Sequence, residues 1–213
     1  MQILAHRGSW QTPNQRNSRQ ALNAALQAGW GVETDIRDHN GTLVISHDMA
    51  TNDSMPLSSL LEDYLRIGSQ GTLALNIKSD GLANELEAVL LNAGIEHYFC
   101  FDMSVPDTLA YINMKMKVAA RLSEYEPEGI LSALSSFLWI DGFHNISVNA
   151  DQLHQWLYEE KKQVCIVSPE LHGRSPKLLW AMLRDLPKEL RLHPYLMICT
   201  DLPALAQKEL CYE

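Results

Sequence analysis

Two carboxylates one residue apart, Glu33 and Asp35, sit in the apolar stretch Val32-Glu-Thr-Asp-Ile-Arg37. Asn76 and Lys78 have the same spacing in Leu73-Ala-Leu-Asn-Ile-Lys78. Side chains alternate along a strand, so Glu33 and Asp35 share one face, as do Asn76 and Lys78, and the apolar residues take the other. Burying such groups is costly unless they are paired or hold a metal. Two carboxylates and an amide carbonyl suit a hard cation such as Mg²⁺ or Ca²⁺. His6 and Arg7 close the first apolar run, and His47-Asp48 follows Leu43-Val-Ile-Ser46. A cation beside Lys, Arg and two histidines suits phosphoryl chemistry: the cations offset charge at phosphorus, and the histidines move protons near neutral pH.

Other charged residues fall at or just past strand ends: Arg121, Asp141, Glu170 and Asp201. Each has a structural reading as a scaffold ion pair. His6 can equally be a satisfied interior histidine, His47-Asp48 ordinary hairpin chemistry, and Glu33, Asp35 and Lys78 a buried ion-pair set. His39, His97, His144, His154 and His193 are expected to play no catalytic part, and His172 stays open. Among the tryptophans, Trp10 is the best substrate-contact candidate.

The elements that must position these residues alternate. Eight β-like runs are expected at 2–6, 31–37, 72–78, 97–103, 117–122, 137–141, 163–168 and 195–200. Amphipathic segments at 18–28, 83–93, 105–114, 151–161 and 176–186 lie between them. Leu86, Val89, Leu90 and Ala93, for example, fall on one helical face. Alternation of this kind means a parallel sheet with crossover helices, and eight units predict a compact (β/α)₈ TIM barrel as one domain over 1–213. Such barrels keep their chemistry at the C-terminal strand ends, where the polar set lies. The fifth and sixth units are short, so one helix there should shrink to a turn. Asn40-Gly41 signals a two-residue hairpin after the second strand. The stretch His6-Arg-Gly-Ser-Trp10 is not the glycine-rich dinucleotide fingerprint.

The chain has 213 residues, 17 basic and 26 acidic, for a net charge of −9. That disfavours a broad nucleic-acid binder, which needs a basic face, but permits a small phosphorylated ligand in a local basic pocket. MQILAHRGSW lacks a secretory pattern, and no run approaches the roughly 18 apolar residues of a membrane helix. A cytoplasmic protein with no stable membrane anchor is expected, its Cys100, Cys165, Cys199 and Cys211 reduced and mostly buried.

Taken in order, HRG at 6–8, a helix opening at Asn17-Ser18, ETD at 33–35, NGTLVISHD at 40–48 and NIK at 76–78 resemble the glycerophosphodiester phosphodiesterase family. That family lies within the phosphatidylinositol-phospholipase-C-like barrel enzymes. The motif-bearing match spans about 3–80, followed by the barrel rhythm and a CTDLP-like strand end. The resemblance implies metal-dependent hydrolysis of a small-molecule phosphodiester, with a divalent ion held by Glu33 and Asp35. It implies His6 as general base, His47 as general acid, and Arg7 and Lys78 on the phosphate. Arg121 and Trp10 complete the expected substrate contacts, and Asn76 the metal site. The sequence departs from the family twice. Asn76 stands where the family has Glu, removing one negative charge from the metal site, unless Asp141 or Glu124 compensates. PNQRNS replaces the family's PENT segment, which bears on glycerol-headgroup specificity more than on phosphodiester chemistry. Two other classes fit the residues: a non-catalytic barrel binding a phosphorylated small molecule, and a Schiff-base lyase using Lys78.

Overall fold

A computed structural model describes residues 1–145 and 148–211. The chain packs as two units, Ala5–Val118 and Met1–Leu4 with Ala119–Glu213. The first strand, β1 (Gln2–His6), contributes residues to both.

In the 5–118 unit, the end of β1 is followed by α1 (Arg19–Gln27), β2 (Gly31–His39), β3 (Thr42–Ile45) and β4 (Met55–Pro56). Then come α2 (Leu57–Ile67), β5 (Leu73–Ile77), α3 (Ala83–Asn92), β6 (Tyr98–Phe101) and α4 (Val105–Asn113). β2, β5 and β6 pair in parallel, with Asp35 opposite Asn76 and Glu33 opposite Ala74. Residues 31–36 of β2 and all of β5 are buried, so both faces are covered, as a parallel sheet with crossover helices requires. Leu22 and Leu26 of α1, Leu57 and Leu60 of α2, and Leu86 of α3 supply the apolar cover. The hairpin forms where Asn40-Gly41 places it: both residues have positive φ, and β3 returns antiparallel to β2.

α2 was absent from the expected helices, although Leu57, Leu60, Leu61 and Tyr64 are spaced as a buried helical stripe and Gly68 ends the helix at φ 70°. It lies directly after the hairpin excursion, where strand–helix alternation gives no reason to expect a helix without a preceding barrel strand.

The second unit contains β7 (Ala119–Leu122), α5 (Ile130–Leu134), β8 (Phe137–Ile140), α6 (Ala150–His154) and β9 (Gln163–Val167). It continues through α7 (Lys177–Asp185), α8 (Lys188–Arg191), β10 (Leu196–Thr200) and α9 (Pro203–Ala206). β7, β8, β9 and β10 pair in parallel in sequence order. The shrunken helix expected here is α5, with five residues. Buried Lys162 completes its end, donating from Nζ to the Ser132 and Ser135 carbonyls at 2.6 and 2.8 Å. The expected helix at 151–161 starts one residue earlier and changes to a wider π turn at Gln155–Glu159. All four cysteines are free, with Cys100, Cys165 and Cys199 buried.

Candidate active site

The HRG tripeptide turns the chain sharply off β1. Arg7 has φ 56° and Gly8 φ 91°. A Cβ at Gly8 would lie 2.6 Å from the Ala21 carbonyl carbon, so only glycine lets β1 close against α1. Arg7 N–H donates to the Glu33 carbonyl at 2.9 Å, and the Arg7 carbonyl accepts from Asn17 N–H at 2.9 Å. Asn17 is also left-handed, at φ 58°. Two left-handed non-glycine residues bonded to each other mark backbone strain of the kind that clusters at functional sites.

This turn brings His6 and Arg7 to the carboxylates of β2. His6 Nε2 lies 3.7 Å from Glu33 Oε2. Arg7 Nε lies 2.9 Å from Asp35 Oδ2, and Lys78 Nζ lies 3.4 Å from Asp35 Oδ1. Asn17 Nδ2 donates to Asp35 Oδ2 at 2.8 Å, while its own Oδ1 accepts from the Thr34 hydroxyl at 2.8 Å. Sequence reasoning took Asn17 only as a helix opening. Its role as the clamp on Asp35 depends on a long-range contact that local patterning does not carry. Trp10 donates from Nε1 to the His6 carbonyl at 2.9 Å, fixing the turn, and its ring carries the Arg16 guanidinium 4.3 Å above its centre.

Glu33 is fully buried, and burial pushes its carboxyl up to about 7, against the opposing pull of His6. Its Oε1 accepts from Asn76 Nδ2 at 3.4 Å. Three buried oxygens on these two adjacent strands, Glu33 Oε2, Asp35 Oδ1 and Asn76 Oδ1, accept no hydrogen bond. Buried oxygens of this kind are normally satisfied. Two carboxylates and an amide oxygen are the donor chemistry of a hard divalent cation, so these residues fit one. Among the described residues, no group of three or more His, Cys, Asp or Glu is placed to hold a metal.

The hairpin excursion brings in His47. Its carbonyl accepts from Arg37 Nε and Nη2 at 3.3 and 3.2 Å, and Ser46 N–H donates to the Asp35 carbonyl at 3.0 Å. His47 Nδ1 lies 2.8 Å from Asp48 Oδ1, which orients the ring, and the imidazole is half exposed. His47 and Arg7 line one cavity of about 590 Å³ within this unit.

Within the other unit, Arg121 on β7 pairs with Glu126 Oε2 at 2.8 Å and approaches Asp141 Oδ2 at 3.9 Å. Asp141, just past β8, meets His172 Nε2 at 2.6 Å. Glu124 accepts backbone N–H groups from Asn145, His144 and Phe143; the Asn145 and His144 N–H groups above all hold it down at about 2, so its carboxylate orders that loop. Glu170 joins strand ends by accepting from Ser168 Oγ at 2.5 Å, from the Thr200 hydroxyl and from Asp201 N–H at 3.2 Å. The His172–Asp141 contact gives Asp141 the scaffold-pair role expected of it and His172, open in the sequence, a partner 31 positions away.

Neither a family model nor a curated protein sequence matches the chain. Solved structures do. A glycerophosphodiester phosphodiesterase from Parabacteroides distasonis is similar at 18% identity and a TM-score of 0.68, over 99% of this chain and 96% of that one. An Oleispira antarctica phosphodiesterase, solved in complex with its product sn-glycerol-3-phosphate, is similar at 17% identity and 0.65, over 100% and 97%. A Ca²⁺-dependent phosphatidylinositol-specific phospholipase C from Streptomyces antibioticus is similar at 10% and 0.56, over 97% and 95%. The chain therefore has the fold of these proteins, the (β/α)₈ barrel.

Proposed function

We propose that this chain is a metal-dependent phosphoric diester hydrolase acting on a small glycerophosphodiester or a related sugar or alcohol phosphodiester. The observation that carries the reading is the set of three buried, unsatisfied oxygens on Glu33, Asp35 and Asn76, beside His6, Arg7 and Lys78, in a chain with the phosphodiesterase fold. Glu33, Asp35 and Asn76 would hold the divalent ion, Mg²⁺ or Ca²⁺. When bound, that ion supplies positive charge against the negative charge developing on the phosphoryl oxygens.

His6 removes the proton from the attacking hydroxyl, which belongs to water or to a neighbouring alcohol of the substrate. The oxygen bonds to phosphorus, the bond from phosphorus to the leaving alcohol breaks, and His47 returns a proton to the departing oxygen. A substrate hydroxyl gives a cyclic phosphate, which water then opens. Arg7 and Lys78, both anchored on Asp35, hold the phosphate, with Trp10 as a further substrate contact. Lys78 Nζ is engaged with Asp35 Oδ1 at 3.4 Å, which opposes a Schiff-base role. We place the enzyme in the cytoplasm, acting on a small-molecule substrate and not on nucleic acid. Among the described residues, no helix is long and apolar enough to cross a membrane.

The test is a hydrolysis screen over phosphodiesters, with EDTA and with added Mg²⁺ or Ca²⁺. Turnover of a diester that EDTA abolishes and a divalent ion restores is expected. Binding of phosphorylated ligands with no turnover under any metal would make the barrel a non-catalytic binder.

A further inference from the structure

Arg37 lies two residues beyond Asp35 on β2, so strand alternation puts it on the face that carries Glu33 and Asp35. The chain has 26 acidic residues against 17 basic ones, yet the partly buried Arg37 makes no ion pair among the described residues. Its guanidinium is spent on one oxygen. Nε and Nη2 both donate to the His47 carbonyl, at 3.3 and 3.2 Å. These two donors share one edge of a rigid plane, so they fix the direction of that carbonyl as well as its distance.

His47 sits where the sheet no longer holds the chain. β3 ends at Ile45, opposite Ile36, and Ser46 N–H donates to the Asp35 carbonyl at 3.0 Å. Past that bond, His47 has two polar partners among the described residues: Arg37 on its main chain and Asp48 on its ring. Asp48 is the next residue of the same loop, and its side chain is 93% exposed. It orients the ring without fixing where the loop lies. Arg37 is the partner that ties His47 to a strand. A general acid must stay within hydrogen-bond reach of the departing oxygen, and a misplacement of about 1 Å can cost about 10²-fold in rate.

We propose that Arg37 is a positioning residue for the acid step. Through the His47 carbonyl it holds the imidazole where the leaving alcohol departs. The inference rests on the hydrolase reading, in which His47 protonates that oxygen. It assigns Arg37 to cleavage of the bond from phosphorus to the leaving oxygen, not to the attack prepared by His6.

The test separates those two events by the leaving group. Two diesters of glycerol phosphate are compared, one with glycerol and one with p-nitrophenol. The glycerol oxygen must leave with a proton, whereas p-nitrophenolate departs as a stable anion that needs none. Arg37→Met keeps the reach of the side chain without its donors. For the glycerol diester it should lower kcat about tenfold or more, while KM moves less than about twofold. The p-nitrophenyl diester should lose far less, so the preference for it in kcat/KM should rise about tenfold. His47→Ala should shift that preference in the same direction, and Arg37→Lys should fall between Arg37→Met and the wild type. Damage to the fold, to phosphate binding or to metal binding lowers both diesters alike and leaves the preference where it was. An unchanged preference in Arg37→Met, whether both rates fall or neither does, overturns the inference and leaves the hydrolase reading intact. Should Arg37→Met not fold, Arg37→Gln is read by the same ratio, and again no rise overturns the inference. A wild-type protein that hydrolyses neither diester, nor any in the wider screen, overturns both readings.

Discussion

Asn76 and Glu33 meet across two neighbouring parallel strands, with Asn76 Nδ2 3.4 Å from Glu33 Oε1 while Asn76 Oδ1 accepts nothing. The amide therefore neutralises part of the carboxylate's burial cost and presents its oxygen beside those of Glu33 and Asp35. In metal-binding terms the centre has two formal negative charges, both buried, with Arg7 and Lys78 drawing on one of them.

Replacing Asn76 with Glu restores a third carboxylate. Hard cations respond to the charge count of their ligands, so Asn76→Glu should bind Mg²⁺ or Ca²⁺ more tightly, by about tenfold. Titration calorimetry reads this without any turnover. kcat should stay level or drop, because added negative charge repels the diester and competes for Lys78. A metal titration that does not move would show that Asn76 is no ligand.

His6→Ala and His47→Ala should each lower kcat by about 10²–10⁴-fold, the usual contribution of a positioned acid or base. Neither change should unfold the protein. His47 is half exposed, and the turn around His6 is held by its backbone carbonyl through Trp10. Circular dichroism melts with near-wild-type midpoints, alongside the kinetics, check this. Full activity in both variants would make the histidines structural.

Most of this site could be read from strand parity. Glu33, Asp35 and Asn76 lie on two short runs whose alternation fixes their face, and the parallel register then places Asp35 beside Asn76. His47 was legible because Asn40-Gly41 admits almost only one turn type, which fixes where β3 leads. Asn17, Asp63 and the His172–Asp141 pair were not legible. Each is defined by a side-chain contact between distant segments, and residue type alone does not distinguish such a partner from any other polar residue. Strand ends drifted by a residue or two, as at β6, where expected 97–103 became Tyr98–Phe101, because flanking residues share the strand's composition without its pairing.

Gly8→Ala should cost about 2–4 kcal/mol, since alanine must adopt φ 91° and place its Cβ 2.6 Å from the Ala21 carbonyl carbon. The obstruction is backbone of α1, which cannot rotate aside. Urea denaturation should show a lower midpoint with an unchanged slope. Because the same turn aims His6 and Arg7, activity should fall further than stability accounts for, measured well below the melting temperature. A variant as stable as the wild type would mean that α1 shifts freely.

Asp63 gives the pH prediction. Its buried carboxylate on α2 accepts from Arg19 Nε and Nη2 at 2.6 and 3.0 Å, from Arg66 Nη2 at 2.7 Å and from Asn23 Nδ2 at 2.7 Å, tying α1 to α2. The Arg19 guanidinium first, and Arg66 after it, hold this carboxyl well below the ordinary value of 3.8. A carboxyl whose pKa is lower folded than unfolded stabilises the fold above its unfolded pKa, and that stabilisation is lost as pH falls through the folded value. The arginine ends are more than half exposed, so solvent screening limits the contribution to about 1–2 kcal/mol. Asp63→Asn should therefore melt several degrees below the wild type from pH 5 to 7. The gap should narrow only below pH 3.8, as the wild-type carboxylate takes up its proton. Melting curves of both proteins in steps from pH 7 to pH 2 measure this. A gap that stays constant into strong acid, or widens there, would show that Asp63 acts through packing and not through its charge.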